Sequence, residues 1–315
     1  MNIIYSSDDN YANYLLVSML SVLDNTCSYV NFHILDAGIS DKSKEKISSH
    51  CSNYNCSIKF YDLSDLDTRL SFLKIETIAI SSYARLFILE ILSEDISKAL
   101  YLDADSIVVN DIAELYSNSF KGCSICAVTD LVPSVFKSSI KLENPDRYFN
   151  AGMVLFDLNK MRSENHLEKY MNIMKKFSGE EIPHHDQGVF NIAYNNDVNI
   201  ISPKYNCMTP FLVLSYEKIC NIYSNESFYT EEQMKIAKES PVFVHLTQSV
   251  VTRPWVAKST HPYSELYKKY MDKIGASLIS DERKVSVRLV SSLILNYPPI
   301  LYKIFTKYYG LFRKS

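Results

Sequence analysis

The triplet Asp103-Ala104-Asp105 closes the apolar run Lys98–Leu102 (KALYL) and precedes a second one, Ile107–Val109. Two carboxylates set side by side at the end of a buried strand repel each other unless something compensates them. A divalent cation is the usual compensator, and hard oxygen ligands suit Mg²⁺ or Mn²⁺. An EF-hand loop is excluded, because its fifth position would be Ile107 and the glycine required next is missing. The chain carries a comparison of its own. Asp65-Leu66-Asp67 has the same pattern inside a polar stretch, DLSDLDTR, where it reads as a solvated turn or a helix start. Cys123-Ser124-Ile125-Cys126 has the spacing of half a zinc site. No second pair accompanies it, and its apolar setting (CSICAV) reads as a buried strand.

The elements that must position these residues alternate. Asn2–Tyr5 reads as a strand, followed by a polar turn through Asn10. Tyr11 to Leu23 carries Leu15, Leu16, Met19, Leu20 and Leu23 at helical spacing. Asn31–Leu35 predicts a strand, Asp41–Cys51 a polar helix, and Ser57–Tyr61 a further strand. Ser81 to Leu92 predicts a helix with Leu86, Leu89 and Leu92 facing inward, and KALYL a strand ending on Asp103. In the second half, Gly152–Phe156 and Val242–His245 read as strands. Helices are expected from about Ser163 to Phe177, from Asp186 onward, and from His261 to Ile274. Such alternation implies an α/β sandwich around a mostly parallel sheet, in which ligands bind beyond the carboxyl ends of the strands. Two acidic turns fall at such ends, Asp8-Asp9 and Asp103–Asp105.

Composition removes several alternatives. With 47% hydrophobic and 22% charged residues among 315, the chain can bury one large core and is not a disordered polymer. Only seven glycines are present, and neither GxGxxG nor GxxxxGK[ST] occurs, which argues against dinucleotide binding and P-loop hydrolysis. The net charge of −3 hides an asymmetry: residues 283–315 hold seven cations and no acid, leaving 26 cations against 36 acids in residues 1–282. An acidic body argues against nucleic acid as a partner. The opening MNIIYSSDD has no basic or apolar leader pattern, no run of 18 apolar residues occurs, and seven irregularly spaced cysteines suit a reducing compartment.

YLDADSIV, with Ser82-Tyr83-Ala84-Arg85-Leu86 upstream and Tyr148-Phe149-Asn150-Ala151-Gly152 downstream, resembles glycosyltransferase family 8, in particular bacterial lipooligosaccharide α-galactosyltransferases and lipopolysaccharide glucosyltransferases. Ser7-Asp8-Asp9-Asn10-Tyr11, Leu35–Ser40 and the pair Asp186-Gln187 extend the likeness in order over residues 1 to about 260. The resemblance implies a GT-A fold and a retaining transfer of a hexose, galactose or glucose, from a UDP-sugar to an oligosaccharide or lipid-linked saccharide. It implies that Asp103, Asp105 and His245 bind Mn²⁺ or Mg²⁺. Ser7, Asp8, Asn10 and Tyr11 would line the uridine side, with the Tyr11 ring under the base. Arg85, Asp103, Ala104, Asn150 and Asp186 would contact the donor, and Arg253 its diphosphate. Gln187 would sit against the reacting face of the sugar and stabilise oxocarbenium-like charge, with Asp186 beside it. The family's His-x-x-Gly-x-x-Lys-Pro-Trp appears here as His245-Leu-Thr-Gln-Ser-Val-Val-Thr-Arg253-Pro254-Trp255, two residues longer, without the glycine, and with arginine for lysine. His184 and His185 read as exposed loop residues.

The expected division is a catalytic domain over residues 1–280 and a basic segment over residues 281–315. From Val285 onward apolar and aromatic residues alternate with cations, and Pro298-Pro299 splits the segment into two short amphipathic helices. Such a segment binds anionic membrane surfaces, which places the chain in the cytoplasm, attached to the inner face of the membrane. Two other readings of the same residues stand beside this one. A haloacid-dehalogenase-type phosphohydrolase would also end a strand on Asp-x-Asp and would use Asp103 and Asp105, and a non-catalytic, membrane-associated nucleotide-sugar-binding protein would only hold its ligand there.

Overall fold

The structure is a computed structural model. It describes residues 1–296 apart from 64, 76–79, 133–136, 138–139, 141, 224–227 and 284. Its strands are β1 (Asn2–Ser7), β2 (Val30–Asp36), β3 (Cys56–Asp62), β4 (Lys98–Leu102), β5 (Ser106–Val108), β6 (Ile125–Thr129), β7 (Phe149–Asp157), β8 (Val198–Ile200), β9 (Cys207–Met208) and β10 (Phe243–His245). Seven form one sheet in the order β3-β2-β1-β4-β7-β6-β8. All run parallel except β7, which opposes both its neighbours. The strand–helix alternation of the sequence thus yields the mostly parallel sheet it implies.

Both faces of the inner sheet are covered, so β4, β6 and β7 are buried at nearly every position, whereas the edge strand β3 has no buried residue. Alternate residues serve opposite cores. Ile3, Leu100 and Leu155 join one cluster, whereas Ile4, Tyr101 and Val154 join the other. The first cluster packs under α1 (Ala12–Asn25), whose residues from Leu15 to Leu23 are all buried. Polar contacts also pin this helix. Ser18 Oγ lies 2.8 Å from both Tyr5 Oη and Ser106 Oγ, and Ser21 Oγ accepts from Val108 N at 2.8 Å. The helix α2 (Asp41–Cys51) has the predicted bounds, capped by Ser40.

Two expected helices are interrupted. Residues Ile80–Phe87 form 3-10 turns, and only Ile88–Ile91 is α-helical. Tertiary hydrogen bonds decide here: Ser6 Oγ holds the Ser81 carbonyl at 2.6 Å, and Arg85 is drawn inward. The helix expected from Ser163 to Phe177 is split. A short helix, Leu158–Ser163, ends before Asn165, which takes a left-handed conformation (φ 53°) and starts α3 (His166–Lys175). The remaining helices used below are α4 (His185–Tyr194), α5 (Ser264–Lys273) and α6 (Val285–Asn296). The Pro298-Pro299 break and the second tail helix lie outside the described residues.

A second, three-stranded sheet in the order β5-β10-β9 sits beyond the carboxyl end of β4. Its register pairs His245 with Ser106 and Val244 with Ile107, antiparallel. A strand distant in sequence is thereby laid alongside the Asp103–Asp105 turn.

Candidate active site

The carboxyl ends of β1, β4 and β6 and the amino end of the opposed β7 meet at one edge of the sheet. β1 lies between β2 and β4, where the strand order reverses, which is where such sheets bind ligands. Asp103 follows β4, and its N–H donates to the Gly152 carbonyl at 2.8 Å. Leu246 N donates to the Asp105 carbonyl at 2.9 Å and completes the link to β10. Ligand atoms of Asp103, Asp105 and His245 lie within 4.8 Å of one another. His245 Nε2 is 3.2 Å from Asp105 Oδ1 and 3.7 Å from Asp103 Oδ2.

The imidazole is oriented by what stands behind it. Asn150 Oδ1 accepts from Gly152 N at 3.0 Å and from Asn206 Nδ2 at 2.9 Å, so the oxygen faces His245 Nδ1 at 3.1 Å. Nδ1 must therefore carry the proton, and the Nε2 lone pair is left for a metal. Gly152 makes room for this arrangement. A Cβ there would lie 2.2 Å from His245 Cε1 and 2.7 Å from Asp103 Oδ2. A bulge between Ala127 and Val128 shifts the β6–β7 register beside Asn150.

Of the four carboxylates in this cluster, Asp103 and Asp186 bond Arg85, Asp105 bonds Arg253, and Asp130 bonds the side-chain amides of Asn150 and Gln187. Burial raises the Asp103 carboxyl above its usual range despite the pull of Arg85 and His245. Burial acts on Asp105 in the same sense, but His245 and Arg253 outweigh it and hold that carboxyl low. Burial works against a charged His245, yet Asp105 and Asp103 raise it above its ordinary value, so a cation and a proton compete for Nε2. Two carboxylates, one imidazole of fixed tautomer and an excess of negative charge make a donor set that fits a hard divalent cation.

Arg85 is buried. Its Nε donates to Asp186 Oδ2 at 2.5 Å, and Nη2 reaches the same oxygen. Nη1 donates to the Ala151 carbonyl at 2.6 Å and to Asp103 Oδ1 at 3.2 Å. Tyr101 Oη donates to that Asp103 oxygen at 2.9 Å. Asp186 is only 1% exposed, in the first turn of α4, so its carboxylate meets Arg85 and not open cleft. Gln187 follows, half-buried, with Oε1 accepting from Ala151 N at 3.0 Å and Nε2 donating to Asp130 Oδ2 and Tyr148 Oη, each at 2.9 Å. The start of α4 is strained: His184, its N-cap, and His185, its first residue, have φ of 63° and 55°. Neither is an exposed loop residue as the sequence suggests; both are half-buried, and His184 Nδ1 bonds Tyr148 Oη.

At the end of β1, Asp8 accepts from Tyr11 N at 3.1 Å and caps a 3-10 turn. Ser7 is buried with its hydroxyl on the Asp8 carbonyl, Ala104 is buried, Asn10 is exposed, and Tyr11 is half-buried. Tyr11 leads into an aromatic ladder in which Tyr14 stacks on Trp255 at 4.5 Å and Trp255 meets Tyr267 at 5.4 Å. Arg253, on the atypical loop, donates from Nη2 to Asp105 Oδ2 at 2.9 Å and from Nη1 to Tyr11 Oη at 3.3 Å.

The residues expected to hold the metal and the donor, from Ser7 to Arg253, therefore border one edge of the sheet. Asp130, Tyr101, Tyr148 and Asn206 belong to the same cluster and were not singled out. Asp130 ends β6 as Asp103 ends β4, and the same strand-end rule finds it. Asp65 and Asp67 are exposed at a short helix, Leu66–Arg69, as their polar setting implies. Cys126 is buried in β6, and all seven cysteines are free thiols. Glu164, His166 and Asp197 form the other group that could ligate a metal among the described residues, but Lys160 Nζ already pairs with its carboxylates, 2.8 Å from Asp197 and 3.8 Å from Glu164.

A model of glycosyl transferase family 8 matches residues 2–259. A provisionally named glycosyltransferase of Haemophilus influenzae is 34% identical over 65% of this chain, which spans 63% of that relative's length. The lipopolysaccharide 1,2-glucosyltransferase of Escherichia coli strain K12 is 29% identical over 85% of this chain and 76% of its own. A crystal structure of the galactosyltransferase LgtC with donor and acceptor sugar analogues superposes with a TM-score of 0.70, covering 87% of this chain and 96% of that one at 23% identity, which establishes the GT-A fold. The chain belongs to glycosyl transferase family 8.

Proposed function

We propose that this chain is a metal-dependent hexosyltransferase that moves galactose or glucose from a UDP-sugar onto a saccharide acceptor with retention, in the synthesis of lipopolysaccharide, lipooligosaccharide or another surface glycan. The observation that carries this reading is the convergence of Asp103 and Asp105, from the turn after β4, with His245, from the distant β10, the His245 tautomer being fixed by Asn150. Mn²⁺ or Mg²⁺ held there would neutralise the diphosphate and stabilise UDP as the leaving group. Asp8, Asn10 and Tyr11 stand on the uridine side, and Arg253 serves the diphosphate. Arg85, with Asp186 behind it, and Asn150 form the wall against the donor hexose. Gln187 is pinned through both ends of its amide, which suits electrostatic stabilisation of a cationic sugar and not nucleophilic attack. The named activities of the Escherichia coli and LgtC relatives support a hexose donor and a glycan acceptor. The phosphohydrolase reading loses its support, since Asp103 is flanked by Arg85 and His245 and the chain belongs to a glycosyl transferase family.

The test is UDP release from UDP-galactose and from UDP-glucose, with and without Mn²⁺. Mn²⁺-dependent release from one donor is expected and names the sugar. Release from neither, with turnover of a simple phosphate ester, would overturn the reading.

In the same proposal, residues 281–315 attach the chain to the cytoplasmic face of an anionic membrane, where lipid-linked acceptors are presented. α6 supports this through its two ends. Near its C-terminal end Ile294 and Leu295 pack on the core, with their carbonyls held by Lys218 Nζ at 3.1 and 2.6 Å, whereas in its N-terminal half Val287, Arg288 and Leu289 are exposed, Leu289 to 60%. No helix among the described residues is long and apolar enough to cross a membrane. Sedimentation with phosphatidylserine vesicles should fall sharply when the chain ends at Ser280; equal sedimentation would remove the tail from the account.

A further inference from the structure

Arg253 stands where two halves of the site meet. Its Nη2 donates to Asp105 Oδ2 at 2.9 Å, its Nη1 to Tyr11 Oη at 3.3 Å and its Nε to the Leu246 carbonyl at 3.2 Å. The guanidinium carbon also lies 5.2 Å from the Trp255 ring centroid. All three nitrogens are thus engaged, and one planar fork ties a metal-ligating carboxylate to the tyrosine on the uridine side. The ladder from Tyr14 through Trp255 to Tyr267 fixes the loop end to α1 and α5, so an exchange of partners requires the side chain to move and leaves the loop in place.

We propose that Arg253 is a latch that couples metal binding to nucleotide binding at this site; the proposal rests on the functional reading above. A cation between Asp103, Asp105 and His245 competes with the guanidinium for Asp105 and repels it. A diphosphate offers Arg253 replacement oxygens and draws it off Asp105. Each ligand therefore favours the arrangement the other needs, and the affinity change must be reciprocal. Lysine, a compact point charge, cannot span Asp105, Tyr11 and the Leu246 carbonyl at once.

The experiment is calorimetric titration of Mn²⁺ into the wild-type chain, Arg253→Ala and Arg253→Lys, each with and without saturating UDP, after thermal melts confirm that the variants fold. In the wild type, UDP should tighten Mn²⁺ binding by about tenfold or more. Without UDP, both variants should bind Mn²⁺ more tightly than the wild type, on the order of fivefold. A residue that only grips phosphate would leave nucleotide-free Mn²⁺ affinity unmoved, and that result overturns the latch. Tightening in Arg253→Ala alone overturns it too, because it reports charge repulsion without the fork. A wild-type chain that binds neither Mn²⁺ nor UDP fails the functional reading itself.

Discussion

Asp65-Leu66-Asp67 and Asp103-Ala104-Asp105 share a pattern and differ in everything around them. The first pair is exposed at a four-residue helix, where water screens both carboxylates. The second follows a buried strand and is surrounded: Arg85 and Tyr101 bond Asp103, Arg253 bonds Asp105, and His245 faces both. Chemistry needs the second setting, because buried carboxylates keep their mutual repulsion and so retain affinity for a cation. The motif carries little information; the strand that delivers it carries most.

That contrast can be broken at its supports. The largest effect should come from Arg85→Met. The Arg85–Asp186 pair is almost fully enclosed, and removing one partner strands a buried charge, at a cost of roughly 3–5 kcal/mol in denaturant unfolding. A loss under about 1 kcal/mol would mean that Asp186 takes up a proton or finds water instead. Next is Gly152→Ala, whose methyl group must displace His245 or Asp103. Mn²⁺ affinity should fall by about 10–100-fold, the range found when a ligand's supporting shell is disturbed. Unchanged affinity would show that the three ligand residues are not held as a unit. Asp67→Asn should do least, within about 0.5 kcal/mol of wild-type stability, because the side chain is solvated.

Much of this was legible in the sequence for physical reasons. Alternation of apolar strands and helices fixes the sheet class, and strand ends fix where ligands go, so Asp103, Asp105 and Asp8 could be placed without coordinates. What escaped depends on contacts distant in sequence. The period of Ser81–Leu92 is helical, but Arg85 is pulled into the site by Asp186, Ala151 and Asp103, and 3-10 turns result. Asn165 breaks a helix by adopting φ 53°, which asparagine tolerates without announcing it. The pairing of His245 with Ser106 is a register between strands far apart in the chain, and no local pattern encodes it. Asp130 obeys the strand-end rule, but it stands alone in sequence, and a single aspartate after a strand lacks the paired-carboxylate signal of Asp103 and Asp105.

The central claim is that Asp103, Asp105 and His245 form the metal centre and Asp65 and Asp67 do not. Mn²⁺ titration of the wild type, Asp105→Asn and Asp67→Asn in the presence of UDP tests it most directly. One site is expected in the wild type and in Asp67→Asn at equal affinity, with Asp105→Asn weakened by about a hundredfold or more. Equal Mn²⁺ binding by wild type and Asp105→Asn would contradict the account.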